Sequence, residues 1–133
     1  MRQLNIGICG LGTVGSGVLS VLQNNSDIIR EKSSCLIHVT HVATRNANHG
    51  CNVENIQFSK DIFEIARDSD IDLVVELIGG TSSALELIML AISNGKHVVT
   101  ANKALIAEHG ISILQAAYEA NVSVAFEASV AGG

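Results

Sequence analysis

The sequence predicts an α/β domain: a doubly wound parallel sheet of about six strands with helices on both faces. Three observations predict it. Short apolar runs alternate with stretches of helical periodicity from one end of the chain to the other, the pattern of strand–helix–strand units. Hydrophobic residues make up 47% of the 133 residues and aromatics only 3%, so the core falls to Val, Ile, Leu and Ala, a palette suited to parallel strands buried on both faces. The first apolar run ends in Gly10-Leu11-Gly12-Thr13-Val14-Gly15, a glycine turn that opens directly into a helical pattern.

Taken in order, residues 4–9 read as the first strand. Val14, Val18, Val21 and Leu22 then recur at one face of a helix. Asn24, Asn25 and Ser26 interrupt it, and residues 27–32 make a further turn or two. Residues 36–43 read as strand two and 56–58 as a short strand three. Asp61 and Glu64 are spaced as a capping box, with Ile62, Ile65 and Ala66 facing inward. Residues 71–78 read as strand four, broken only by Asp72 and Glu76. Ser83 and Glu86 repeat the capping-box spacing. Leu85, Ile88, Met89 and Ile92 supply an apolar face, and Gly95 suits a helix C-cap. Residues 97–100 are strand five. Ile111, Leu114, Ala117 and Tyr118 mark the face of the next helix, which ends near Asn121. Residues 122–128 are strand six. Right-handed crossovers give the strand order 3-2-1-4-5-6.

This length supports one domain with a core that needs neither disulfides nor metals. The net charge of −5 argues against nucleic acid or an anionic membrane as partner. Any bound anion must therefore be held locally, by backbone N–H groups or single basic residues. Cys9, Cys35 and Cys51 are odd in number and form no C-x-x-C pair, which reads as a reduced, cytoplasmic protein. No signal peptide or membrane-spanning run is visible. Proline is absent, and nothing inside the chain has the composition of an interdomain linker.

A lone G-x-G-x-x-G is a weak signal, but here it follows a buried strand and opens an amphipathic helix. In a Rossmann-type domain Gly10 allows the tight turn, Gly12 the close approach of a pyrophosphate and Gly15 the packing of helix on strand. The peptide N–H groups of Leu11, Thr13 and Val14 complete a loop that offers a positive dipole end to phosphates. A turn needed only for packing is the alternative. Strand two ends in Ala43-Thr44-Arg45-Asn46, with no acid to hold a ribose 2′-hydroxyl. Arg45 suits a 2′-phosphate and stacking on adenine, so NADP is preferred over NAD; its other reading is an ordinary surface arginine. The gap from Gly15 to Thr44 exceeds the usual spacing, which makes 24–34 an enlarged helix-loop.

Small or polar residues stand at the C-terminal ends of the later strands: Gly79, Gly80 and Thr81 after strand four, and Thr100, Ala101, Asn102 and Lys103 after strand five. That edge of an open α/β sheet is where ligands sit, so Gly79, Gly80 and Thr100 join the candidate cofactor contacts. Lys103 is the basic group on this edge. It can steer a proton or polarise an oxygen; the alternative is a solvated first-turn lysine, a poor place for a cation against the helix dipole.

Other features carry less. His38 and His41 stand three apart in a strand, on opposite faces, and cannot chelate one metal. The five histidines read as structural or solvent-facing. Cys9 reads as a small buried hydrophobe. Asp72 and Glu76 share a strand parity and read as paired polar groups near the sheet's ends, with an acid–base couple as the less favoured reading. Nothing in the sequence accounts for Glu76 in so apolar a strand.

GLGTVGSGV, VVELIGG, VVTANKALIA and FEASVAGG occur in that order over nearly the whole chain, and together they resemble homoserine dehydrogenase. The last three are far more specific than the glycine loop. The resemblance implies NAD(P)-dependent interconversion of L-homoserine and L-aspartate 4-semialdehyde, on the route to threonine, methionine and isoleucine. It implies that Lys103 is one of two lysines at the reaction centre and touches the cofactor as well. It implies a monovalent cation, usually sodium, held in the full-length enzyme by Glu127 and the carbonyls of Val130 and Gly132. It further implies that residues 1–133 are the cofactor domain of a larger enzyme. The substrate and dimerisation domain, through which the parent forms a homo-oligomer, is then absent, so this chain binds dinucleotide but lacks catalysis alone. Two other readings stay open. One is the cofactor domain of another small-molecule reductase, acting on aspartate or on dihydrodipicolinate; the other is a dinucleotide-sensing module without chemistry. Lys103 separates them, since a sensor needs no lysine there.

Overall fold

A computed structural model of the protein describes residues 2–10, 35–43, 57–78 and 80–126. Among these residues the elements in chain order are β1 Arg2–Cys9, β2 Cys35–Ala43, β3 Gln57–Ser59, α1 Ile62–Arg67, β4 Leu73–Glu76, α2 Ser82–Ser93, β5 His97–Thr100, α3 Lys103–Ala120 and β6 Val124–Phe126. The strands form one parallel sheet in the order β3-β2-β1-β4-β5-β6. This is the predicted order, and it makes the β1–β4 boundary the topological switch point. The helical pattern at 14–22, the turns at 27–32 and Ile56 lie outside the described residues.

Strand parity sorts the core onto two faces. On one, Cys9, Val74 and Val98 pack with Ile65 and Ala66 of α1, Leu87, Ile88 and Ala91 of α2, and Leu105, Ile113 and Ala117 of α3. On the other, Ile6, Ile8, Val42 and Val75 form a second cluster. Each fully buried aliphatic side chain contributes about 1.5–3 kcal/mol, so these two layers hold the strand ends that build the site.

β4 is shorter than the predicted 71–78. Ile71 N–H turns back to the Asp68 carbonyl at 3.1 Å, and past Glu76 the Ile78 N–H bonds to the Glu76 carboxylate at 3.0 Å. The chain thus leaves the ladder at both ends. β6 starts later than predicted because Val122 N–H is spent on the Ala117 carbonyl at the end of α3; residues 127 and 128 lie outside the described set. Asp61 caps α1 as expected, accepting from Phe63 N–H at 2.9 Å.

Two helix expectations are corrected. The Ser83–Glu86 capping box does not form: after Gly80 the backbone is already helical at Thr81, which is the N-cap without a side-chain cap bond, so Ser83 falls inside the first turn. Gly95 does end α2, in a left-handed conformation, with Gly95 N–H on Ile92 O and Lys96 N–H on Ala91 O, a Schellman motif. In α3 the expected face is wrong at three of four positions: Ile111, Leu114 and Tyr118 are 85%, 57% and 84% exposed, and only Ala117 is buried. The helix begins earlier than its apolar pattern suggested, and Leu105 at its start sets the rotation. The stripe Leu105, Ile113, Ala116, Ala117 and Ala120 then faces the core, where alanines permit close approach.

Candidate functional site

The C-terminal edge is built from three strand exits. At the end of β1, Gly10 takes φ +93° and its N–H donates to the Ala43 carbonyl at 2.8 Å. A Cβ there would come within 2.9 Å of both the Leu77 carbonyl oxygen and Ile78 Cγ2. Glycine is therefore required twice over, by conformation and by the β4 exit that crosses it. Gly10 thus stands at the end of β1 at the switch point, where a dinucleotide binds in this architecture.

At the ends of β4 and β5, Glu76 and Thr100 are register partners, and both are fully buried. Thr100 Oγ1 donates to Glu76 Oε1 at 2.5 Å and accepts from Asn102 N–H at 3.0 Å. The other carboxylate oxygen takes the Ile78 N–H. Asn102 is the N-cap of α3, its Oδ1 accepting from Leu105 N–H at 3.0 Å, while its Nδ2 donates to the Gly80 carbonyl. The loop after β4 and the turn after β5 are thereby tied into one unit. Gly80 has φ +70°, and among the described residues a Cβ there would meet nothing within 4 Å, so conformation and not crowding favours glycine. Lys103, the first residue of α3, is exposed at the same edge.

The structure thus brings together Gly10, Gly80, Thr100 and Lys103 of the sequence-derived candidates. Leu11, Gly12, Thr13, Val14, Gly15, Arg45, Gly79, Glu127, Val130 and Gly132 lie outside the described residues. Thr100 faces Glu76 and Asn102 rather than open solvent, so its hydroxyl is a structural tie. Sequence reasoning missed Asn102; the signal was an Asn directly before a helical run. Glu76 and Asp72 do not pair. Asp72 Oδ2 accepts from Asn5 N–H at 2.9 Å ahead of β4, whereas Glu76 sits at the opposite strand end. Cys9, buried beside Glu76, has its thiol pushed far up by burial and secondarily by the Glu76 charge, so it stays protonated and inert. Among the described residues no cluster of His, Cys, Asp and Glu could hold a metal ion, and no helix is long and apolar enough to cross a membrane.

Known proteins match this arrangement over its whole extent. Residues 10–127 match the family model described as the NAD-binding domain of homoserine dehydrogenase. The chain is 51% identical to the homoserine dehydrogenase of Pseudomonas aeruginosa, covering 100% of this chain and 31% of that protein. To that of Neisseria gonorrhoeae it is 45% identical, with the same coverage. Among solved structures, a homoserine dehydrogenase from Thiobacillus denitrificans superposes with a TM-score of 0.89 at 44% identity, over 96% of this chain and 30% of that one. The chain therefore spans about a third of the length of the relatives it matches.

Proposed function

The chain belongs to the homoserine dehydrogenase family, of which it carries the NAD-binding domain, and on that premise we propose that it serves the NAD(P)-dependent interconversion of L-homoserine and L-aspartate 4-semialdehyde. The observation that carries this reading is the joined edge of the sheet: a glycine at the switch point, and on the same edge an exposed lysine that directly follows Asn102, the residue tying the β4 and β5 exits together. The residues described fit a dinucleotide. Gly10 takes the turn that only glycine allows, and Gly80 adds a second left-handed glycine on the same edge. A nicotinamide bound there would supply the hydride chemistry.

This chain's own residues supply the rest. Gly10 to Gly15 would hold the pyrophosphate, Arg45 a 2′-phosphate, and Gly79 and Gly80 the nicotinamide half. Lys103 would orient the substrate and hold or move the proton at its oxygen. Glu127, Val130 and Gly132 are the proposed cation ligands, and no step is assigned to the cation. In the same reading the protein works in the cytoplasm, as part of a homo-oligomer assembled through a further domain. The relatives' names do not favour another reductase or a cofactor sensor.

The test is homoserine-dependent reduction of NADP and NAD by the full-length enzyme and its Lys103→Ala variant. Loss of turnover by about 100-fold or more, with cofactor affinity retained, is expected. Unchanged turnover removes Lys103 from the reaction centre, and no turnover with homoserine in the wild type defeats the proposed activity.

A further inference from the structure

Glu76 is an expensive residue in its place. It is 0% exposed at the end of a strand whose other members are Leu73, Val74 and Val75. A buried carboxylate is destabilising unless its oxygens are well satisfied, and an apolar residue would fill the same strand position more cheaply. What an apolar residue could not do is accept two hydrogen bonds from two different loops.

We propose that Glu76 is a positioning residue: through Thr100 and Asn102 it fixes the point where the chain enters α3, and with it the place from which Lys103 reaches into the crevice. This rests on the reading of Lys103 as a reaction-centre group. The path is short and continuous. One carboxylate oxygen fixes Ile78 in the β4 exit; the other orients the Thr100 hydroxyl, whose lone pair then holds Asn102 N–H. Asn102 caps α3 and returns to Gly80 in the β4 exit, closing the ring. Lys103 is the next residue in the chain. A carboxylate suits this arrangement because Ile78 N–H and the Thr100 hydroxyl both donate to it; a carboxamide that kept the Ile78 bond would turn its NH₂ onto the Thr100 oxygen and remove the acceptor of the Thr100 hydroxyl proton. Misplacing a reacting group by a fraction of its reach is enough to depress the chemical step while cofactor binding persists.

Two measurements decide it. In the full-length enzyme, Glu76→Gln and Thr100→Val are expected to lower kcat with homoserine by about 100-fold and to leave the KM for cofactor little changed, while Thr100→Ser, which keeps the hydroxyl, restores turnover. In a Lys103→Ala background, Glu76→Gln should cost nothing further. A loss that instead multiplies with that of Lys103→Ala overturns the proposal, because a merely structural carboxylate would act independently of the lysine. The second measurement needs no turnover, so it survives a failure of the proposed activity. Amide hydrogen exchange on the 133-residue chain should show Ile78, Asn102 and Leu105 deprotected together by Glu76→Gln, and Asn102 and Leu105 by Thr100→Val. Deprotection confined to Ile78 would show that the two exits are not coupled and would overturn the proposal equally.

Discussion

Asp68 closes α1, and partners from elsewhere in the chain and from its own turn converge on it. Its Oδ2 lies 2.9 Å from His41 Nδ1, its Oδ1 accepts from Asp70 N–H at 2.9 Å, and its carbonyl accepts from Lys96 Nζ at 2.6 Å. A carboxylate can only accept, so His41 donates from Nδ1, and its Nε2 lies 2.8 Å from the Ser59 hydroxyl. Burial works to raise the Asp68 carboxyl, but the hydrogen bonds from His41 and Asp70 and the charges of His41 and Lys96 outweigh it and hold it below its ordinary 3.8. A carboxyl depressed on folding stabilises the protein above its unfolded value, and that contribution is lost as pH falls through the folded one. Asp68→Asn should therefore lower Tm at pH 7 and show a shallower fall of Tm below about pH 4 than the wild type. Parallel curves down to pH 3 would contradict this role. Lys96 is the companion case. Burial lowers its pKa against the raising influence of Asp68, Asp72 and Asp70, yet its ammonium satisfies the carbonyls of both Asp68 and Ile71. Lys96→Met would take this partner from the Ile71 carbonyl, at about 1–3 kcal/mol, and leave the Asp68 carbonyl with the Ile71 N–H, read as a drop in urea midpoint. None of this was legible in the sequence, because 27 residues separate His41 from Asp68 and no local pattern links them.

The helices show where periodicity informs and where it misleads. α1 announced itself through Asp61, and Asp61→Ala should cost about 1 kcal/mol; Ser83→Ala, aimed at a capping box that does not form, should cost nothing measurable. α3 carries two apolar stripes, and hydrophobicity alone could not choose between them. The larger residues Ile111, Leu114 and Tyr118 looked like the core, but the N-cap at Asn102 sets the helix start, and Leu105 rotates the alanine-rich stripe inward. Leu105→Ala and Ile113→Ala should each lose about 2–5 kcal/mol by chemical denaturation. Ile111→Ala and Tyr118→Ala should stay within about 0.5 kcal/mol. The reverse ranking would mean that α3 is rotated about its axis. The strands were easier, because alternating short apolar runs locate them without any knowledge of their partners, and only their ends moved.

At the scale of the whole molecule, strand order was legible because right-handed crossovers leave few ways to wind alternating strands and helices. The order in turn placed Gly10 at the switch point and Lys103 on the same edge. What the sequence left unexplained there was Glu76. Its partners Thr100 and Asn102 are near neighbours only once β4 and β5 lie side by side, so the tie that joins the two exits exists in space and not in any motif. The account as a whole requires that this edge bind a dinucleotide, and one measurement tests that most directly: calorimetric titration of the 133-residue chain with NADPH and with NADH. The expected result is saturable binding of one equivalent, tighter for NADPH, with the preference erased by Arg45→Ala and all binding lost in Gly10→Val. Heat-silent titrations with both nucleotides, on a chain shown by cooperative unfolding to be folded, would contradict the account.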